Sequence, residues 1–286
     1  MIKYFSLFFL IFLPCCHSHN KTSMSNRQKY AQELVLNSKL EGYIIKTNNF
    51  SLQSYIHINN SLDKSLNIYI EGDGFSWKNR YTISDNPTPI DPLALKMAIA
   101  DKNSNVAYIA RPCQYVDLSI EPNCQSKFWS HSRFNKTVID SINEAINRMV
   151  NYHKIKSINL YGYSGGGALA VLIASTRDDV KSIVTIAGNL NHQEFTKIHK
   201  VTPLYDSLNP IDFIKNIENI PSYHMAGGKD KIIPSYIIKD FVLKINQASN
   251  KCAKFTEIKG ATHEFNKWPE ILEELLKNPE AIKCEN

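Results

Sequence analysis

The stretch Ser157 to Thr176 reads SINLYGYSGGGALAVLIAST, and its local pattern decides how the rest of the chain is read. Residues 156–161 (KSINLY) have the character of a strand, and the small apolar residues 165–176 have that of a helix. Between them Gly162, Tyr163, Ser164, Gly165 and Gly166 spell GxSxG. In a chain of this Gly and Ser content the five-residue pattern arises by chance in roughly four sequences in a hundred, so its position between strand and helix carries the weight. Small residues on both sides let the backbone fold sharply, which leaves the Ser164 hydroxyl above the sheet at the positive end of a helix. A phosphate-cradling loop would need a following Lys-Ser/Thr or GxGxxG spacing, and neither is present.

Outward from this elbow, further strands are expected at 42–46 (GYIIK), 53–58 (QSYIHI), 66–71 (LNIYIE), 105–110 (NVAYIA), 181–187 (KSIVTIA), 222–226 (SYHMA) and 254–258 (KFTEI). The middle ones are apolar on both faces, as strands between two helix layers must be. Helices are expected at 92–101, 135–153, 235–248 and 268–277; in the second, Val138, Ile142, Ala145, Ile146, Met149 and Val150 form one stripe. Two early strands followed by repeated strand-helix units imply an α/β class, a mostly parallel sheet covered on both faces. No internal repeat or low-complexity linker divides the chain, so residues 20–286 read as one domain.

The 11 glycines locate the chemistry. All but Gly42 sit at or just past the carboxyl ends of expected strands, the edge where open α/β sheets bind ligands. A serine hydroxyl is a weak nucleophile near neutral pH and needs a base and a group to orient that base. Both are found downstream. Past the strand SYHMA come Gly227, Gly228, Lys229 and Asp230, with Pro234 to open the next helix; past KFTEI come Lys259, Gly260, Ala261, Thr262 and His263. Ser164, Asp230 and His263 therefore make a candidate triad. The bland alternatives are a turn or cap aspartate and a surface histidine. The other histidines fit less well: His17 and His19 lie at the amino-terminal boundary, His57 and His224 inside strands, and His131, His153, His192 and His199 in segments read as having no strand end before them. Asp206 and Asp212 are the runner-up acids. Acyl transfer also needs donors for an oxyanion, and these are expected at the backbone N–H of Gly165 and of Asp73, the latter in the loop Glu71-Gly72-Asp73-Gly74.

IYIEGDG, GYSGGG, GGKDKIIP and GATHEF, in that order over most of residues 40–280, resemble the α/β-hydrolase superfamily. EGDG together with RPCQY and a later Cys is similar to secreted bacterial α/β hydrolases of an uncharacterised subgroup. Many lipases and esterases carry His-Gly where this chain has Glu71-Gly72. The resemblance implies a sheet of about eight strands with the second antiparallel, and a small helical lid in the excursion from about 189 to 221.

Lys plus Arg number 33 against 27 Asp plus Glu, a net +6 with no dense basic run, so nucleic acid is not an expected partner. Residues 1–19 read as a secretory signal: Lys3 precedes about ten apolar residues, too few to span a bilayer. Leu13-Pro14-Cys15-Cys16 resembles a bacterial lipobox with Cys16 as the lipidation candidate, although Cys15 stands where such boxes place a small residue. Lipid anchoring, with membrane attachment through it, and plain cleavage both stay open. Export, to a periplasmic, envelope-anchored or extracellular site, makes sense of the other four cysteines. Three pairings are open to them, and nearest-neighbour pairing, Cys113 with Cys124 and Cys252 with Cys284, is preferred because each staples one loop-containing segment. No close CxxC or Cys-His spacing suggests a metal, and no cofactor is expected. The reading is a secreted serine hydrolase acting on a small-molecule or lipid-like acyl ester, thioester or amide. Its rivals are an acyltransferase on the same triad and a non-catalytic envelope binding protein of the same fold. The sequence carries no signal for an oligomeric state.

Overall fold

The structure is a computed structural model that describes residues 25–59, 64–103, 105–248 and 252–284. The expected signal segment and Cys16 lie outside them. The strands are β1 (Glu41–Lys46), β2 (Ser51–Ile58), β3 (Ser65–Ile70), β4 (Trp77–Asn79), β5 (Thr82–Ile83), β6 (Asn105–Ile109), β7 (Ser157–Tyr163), β8 (Val180–Ile186), β9 (Ser222–Gly227) and β10 (Ala253–Ile258). The helices are α1 (Asn26–Leu36), α2 (Leu93–Ala100), α3 (Lys136–His153), α4 (Gly165–Ala174), α5 (His192–His199), α6 (Ile214–Ile217), α7 (Ser235–Ala248) and α8 (Trp268–Leu276). Eight strands form one sheet in the order β1-β2-β6-β3-β7-β8-β9-β10, and β4 pairs only with β5. Strand β2 runs antiparallel to β1 and β6, while the pairs from β6 through β10 are parallel.

The two-residue period of the strands distributes the core. Along β3, Leu66, Ile68 and Ile70 face the layer that contains α3, α4 and α7, while Tyr69 faces the layer of α1, α2 and α8. Helix α3 starts where the Asn135 side chain accepts the Val138 N–H at 3.1 Å, and its stripe Val138, Ile142, Ala145, Ile146 and Met149 is buried. All ten residues of α4 are buried, which is why that segment shows no polar face in the sequence.

The structure adds elements that the pattern did not suggest. Helix α1 begins with a capping box between Ser25 and Gln28 and buries only Ala31 and Val35, too few apolar positions to announce a period. The β4-β5 hairpin occupies the link between the Glu71 loop and α2. Strand β7 continues past the expected end at Tyr161 to Tyr163, because Gly162 and Tyr163 still pair with Thr185 and Ile186 of β8. Between β8 and β9 lie α5, a 3-10 turn at Pro210–Phe213 and α6. Leu204, Ile217 and Phe213 from this excursion pack into the same core as α4. Cys113 is bonded to Cys124 and Cys252 to Cys284. No helix among the described residues is long and apolar enough to cross a membrane.

Candidate active site

The site is assembled at the carboxyl edge of the sheet by the loops that follow β3, β6, β7, β8, β9 and β10. Ser164 is the cap of α4, with φ 52° and ψ −118°, a conformation an L-residue keeps only when its surroundings enforce it. Those surroundings are visible. The Ser164 N–H donates to Ile186 O at 2.9 Å, and its carbonyl accepts from the N–H groups of Gly167 and Asn189, both at 3.0 Å. A Cβ on Gly162 would overlap the Gly166 carbonyl, and one on Gly166 would overlap Ile70 O, so the tight crossing of strand and helix requires glycine at both places.

The structure brings Ser164, His263 and Asp230 together. The Ser164 Oγ lies 2.9 Å from His263 Nε2, and His263 Nδ1 lies 2.8 Å from Asp230 Oδ2. The other Asp230 oxygen accepts the N–H groups of Ile232 and Ile233, each at 2.8 Å. That carboxylate has no side-chain exposure, and the His263 side chain is 12% exposed. The His263 carbonyl is fixed from two sides, by the Tyr163 hydroxyl at 3.2 Å and by Trp268 Nε1 at 3.0 Å. Held in this way, the imidazole has one nitrogen committed to a carboxylate and the other aimed at a hydroxyl. Such an arrangement can move a proton off that hydroxyl and return it to a leaving group.

The loop after β3 passes over the elbow. A Cβ on Gly165 would overlap Asp73 Oδ1, so the Asp73 carboxylate lies directly against the residue that follows Ser164. Among the hydrogen bonds of the described residues, the backbone N–H groups of Asp73 and Gly165 have no protein acceptor, and both remain available as donors. Asp73 is gripped by two arginines, Arg111 Nη1 on one oxygen and Arg133 Nη1 on the other. Burial alone would push its carboxyl up, but Arg133 and Arg111 outweigh that and hold it below the usual range. Arg133 is anchored in turn by donating from Nε to Ser130 O at 2.6 Å, and the Arg111 guanidinium stacks 5.3 Å from the Phe134 ring centre.

Glu71, two residues before Asp73, is 1% exposed. Its carboxyl accepts the Gly72 N–H at 2.9 Å, the Ala94 N–H in the first turn of α2 at 3.4 Å, and the Tyr108 hydroxyl at 3.1 Å. Burial pushes it up to about 7, against the pull of those donors. Where the sequence resemblance leads one to look for His-Gly, a buried acid thus ties the loop to α2 and β6.

Arg111, Arg133, Glu71 and Asn189 are not among the residues that the sequence reading singled out for chemistry. Arg111 had a usable signal, since it is the second residue past β6 on the same edge as the glycine loops. Arg133 had none, lying in an irregular segment between a 3-10 turn and α3. His192 needs a correction: the sequence reading put it in a segment with no strand end before it, but it follows the end of β8 by six residues and opens α5. Its ring lies 6.2 Å from that of Phe134, and burial holds its imidazole below the ordinary value. Asp206 and Asp212 are in the excursion, where Asp206 approaches Asn135 rather than His263. Among the described residues no group of three or more His, Cys, Asp or Glu could hold a metal ion.

A sequence model described as "alpha/beta hydrolase fold" matches residues 116–206, the part of the chain that contains the elbow. No curated protein matches the chain. Among solved structures it is similar to an acylaminoacyl peptidase from Pyrococcus horikoshii, with a TM-score of 0.63 and 12% identity over 89% of this chain and 44% of that one. The present chain thus spans less than half the length of that peptidase. It is also similar to the esterase Pf2001 of Pyrococcus furiosus, with a TM-score of 0.59 and 14% identity over 86% of this chain and 94% of that one. A putative α/β hydrolase of unknown function from Agrobacterium tumefaciens gives a TM-score of 0.58 at 13% identity, covering 86% of this chain and all of the other. The chain has the α/β-hydrolase fold.

Proposed function

We propose that the protein is an exported serine hydrolase that cleaves a carboxylic ester, thioester or amide. The observation that carries this is the continuous relay from Asp230 Oδ2 through His263 to Ser164 Oγ, with steps of 2.8 and 2.9 Å. Ser164 Oγ attacks the carbonyl carbon while its proton passes to His263 Nε2, and the Nδ1–H donates to Asp230, which holds the tautomer and stabilises the imidazolium. The backbone N–H groups of Gly165 and Asp73 receive the negative charge on the carbonyl oxygen. As the tetrahedral adduct collapses, the leaving group takes the proton back from His263. Water, deprotonated by the same imidazole, then attacks the acyl-serine and frees the acid and the hydroxyl.

Export is supported by the two bonded cysteine pairs, since such bonds persist in oxidising compartments. Esterase and peptidase neighbours of the same fold agree with a hydrolytic role without choosing the bond. Two experiments test the reading. Ser164→Ala should lower ester turnover on the order of 10⁶-fold, as expected when a triad acts as a unit. A fluorophosphonate should label wild-type protein at Ser164 and leave that variant unmodified. Unchanged turnover in the variant, or no labelling of the wild type, would remove the proposal.

A further inference from the structure

The wall of the site beside Ser164 is charged rather than greasy. Arg111 and Arg133 have side-chain exposures of 4% and 8%, whereas Asp73, which they grip, keeps 20%. What a substrate meets is therefore the carboxylate, not the guanidiniums behind it. An ionised carboxylate offers about four acceptor positions, and the two arginines use one on each oxygen. The remaining capacity lies against Gly165, next to the reacting carbonyl in the mechanism above.

The sign of the surroundings narrows what can bind there. The carboxylate that a substrate meets repels an anion at close range, and the two guanidiniums on its oxygens offset its pull on a cation. A neutral hydroxyl is subject to neither effect and can donate to Asp73. The far side of the elbow is polar as well. Asn189, whose N–H holds the Ser164 carbonyl, and His192 are 2% and 4% exposed, and Asn189 Oδ1 and His192 Nδ1 have no partner among the described residues.

We propose that Asp73, braced by Arg111 and Arg133, is a specificity-determining acceptor that selects small substrates carrying a hydroxyl within a few bonds of the scissile carbonyl, in preference to alkyl esters of the same size. The inference rests on the serine-hydrolase reading and narrows its substrate class. It excludes long acyl chains as preferred substrates, because a chain laid along this wall would strip water from the carboxylate and return no hydrogen bond.

Two pairs of esters that differ only in hydroxyl groups test it: ethyl lactate against ethyl propanoate on the acyl side, and glyceryl monoacetate against propyl acetate on the leaving side. The hydroxylated member of at least one pair should be favoured in kcat/KM by about tenfold or more. Asp73→Asn keeps the size but weakens the acceptor, and should reduce that ratio at least about fivefold, mainly through KM. Fluorophosphonate labelling of Ser164 is run in parallel on both proteins. A labelled enzyme that treats both pairs alike, or prefers the alkyl members, overturns the proposal, and the wild-type ratios decide this even where the variant does not fold. Should the serine not label and no ester turn over, the hydrolase reading fails separately. Ligand-observed NMR with the same four esters then still decides: preferential binding of the hydroxylated members supports the acceptor site, and equal binding overturns it.

Discussion

The two edges of the sheet both bury polar groups, and they do so in opposite ways. At the amino edge Asp101 accepts from Asn67 Nδ2 and the Tyr69 hydroxyl, each at 2.8 Å, and from the N–H and side-chain amide of Asn103. Asn159 extends the network to Asn67, and Ser182 extends it to Asn159, both at 2.9 Å. Asn67, Asn103, Asn159 and Ser182 line a cavity of about 310 Å³ with Tyr161 and Lys181, yet their bonds close on one another and on Asp101. At the carboxyl edge, Cys113 and Tyr115 after β6, Ser164 after β7 and Ala187 after β8 all have positive φ. The remaining such non-glycine residues among those described, Lys154 and Lys200, are ordinary helix C-caps. Satisfied polar burial in relaxed backbone is what a protein needs to specify its own core. Strained backbone and a carboxyl pushed up to about 7 are what a reactive site looks like, and among the described residues only the carboxyl edge has both.

Replacing one acid at each edge measures the contrast. Asp230→Asn preserves the packing around His263 but favours the wrong imidazole tautomer, and turnover should fall about 10⁴-fold. At the other edge, Asp101→Ala leaves two buried donors, Asn67 Nδ2 and the Tyr69 hydroxyl, without an acceptor and should cost about 4 kcal/mol of folding stability. For a chain of this size that is a fall in melting temperature on the order of 10 °C. Turnover per folded molecule should stay the same, because Asp101 lies across the sheet from Ser164. Circular dichroism melts and active-site titration read the two quantities independently. If Asp101→Ala lost activity as Asp230→Asn does, the division of labour between the edges would be wrong.

How much of this could be read in the sequence follows the same divide. The eight strands of the main sheet were legible to within two residues at each end, because strands buried on both faces write themselves as short apolar runs between turns. Ser164, Asp230 and His263 were each legible on the loop just past such a run, so their convergence followed from the topology. Helix α1 was not, since a helix that buries two side chains leaves no period. Nor was the grip of Arg111 and Arg133 on Asp73. It joins three loops that are 22 to 60 residues apart, and nothing local in the sequence marks Arg133 as facing inward. Local chemistry is legible where one element fixes the direction of a side chain, and is lost where direction depends on how irregular segments pack.

The smallest expected effect concerns Glu71, and it asks whether the carboxyl edge is under tension at all. Its carboxyl is pushed from the ordinary 4.5 up to about 7 in the fold. The unfolded chain therefore gives up this proton first, and the stability contributed by the protonated, buried acid is complete below about 4.5 and is lost as pH climbs to 7. Over that interval the loss amounts to roughly 3 kcal/mol. Tyr108, Tyr115 and Tyr163 face the group and stay protonated throughout, and Arg111 stays charged, so none of them titrates in the window. His224 does contribute with the opposite sign: burial lowers it to about 3, so its share of stability is lost as pH falls below the ordinary 6.5. The difference between wild type and Glu71→Gln cancels the His224 share, because glutamine mimics the protonated acid and can still accept from Gly72 and Ala94. Urea titrations from pH 4.5 to 8 should find the two proteins equally stable at the acid end and the variant more stable by roughly 3 kcal/mol at the alkaline end. A wild type that gains on the variant as pH rises would mean that Glu71 serves as a settled counter-charge to the arginines. The Asp73 loop would then be as relaxed as the network around Asp101, and the contrast between the two edges would rest on the triad alone.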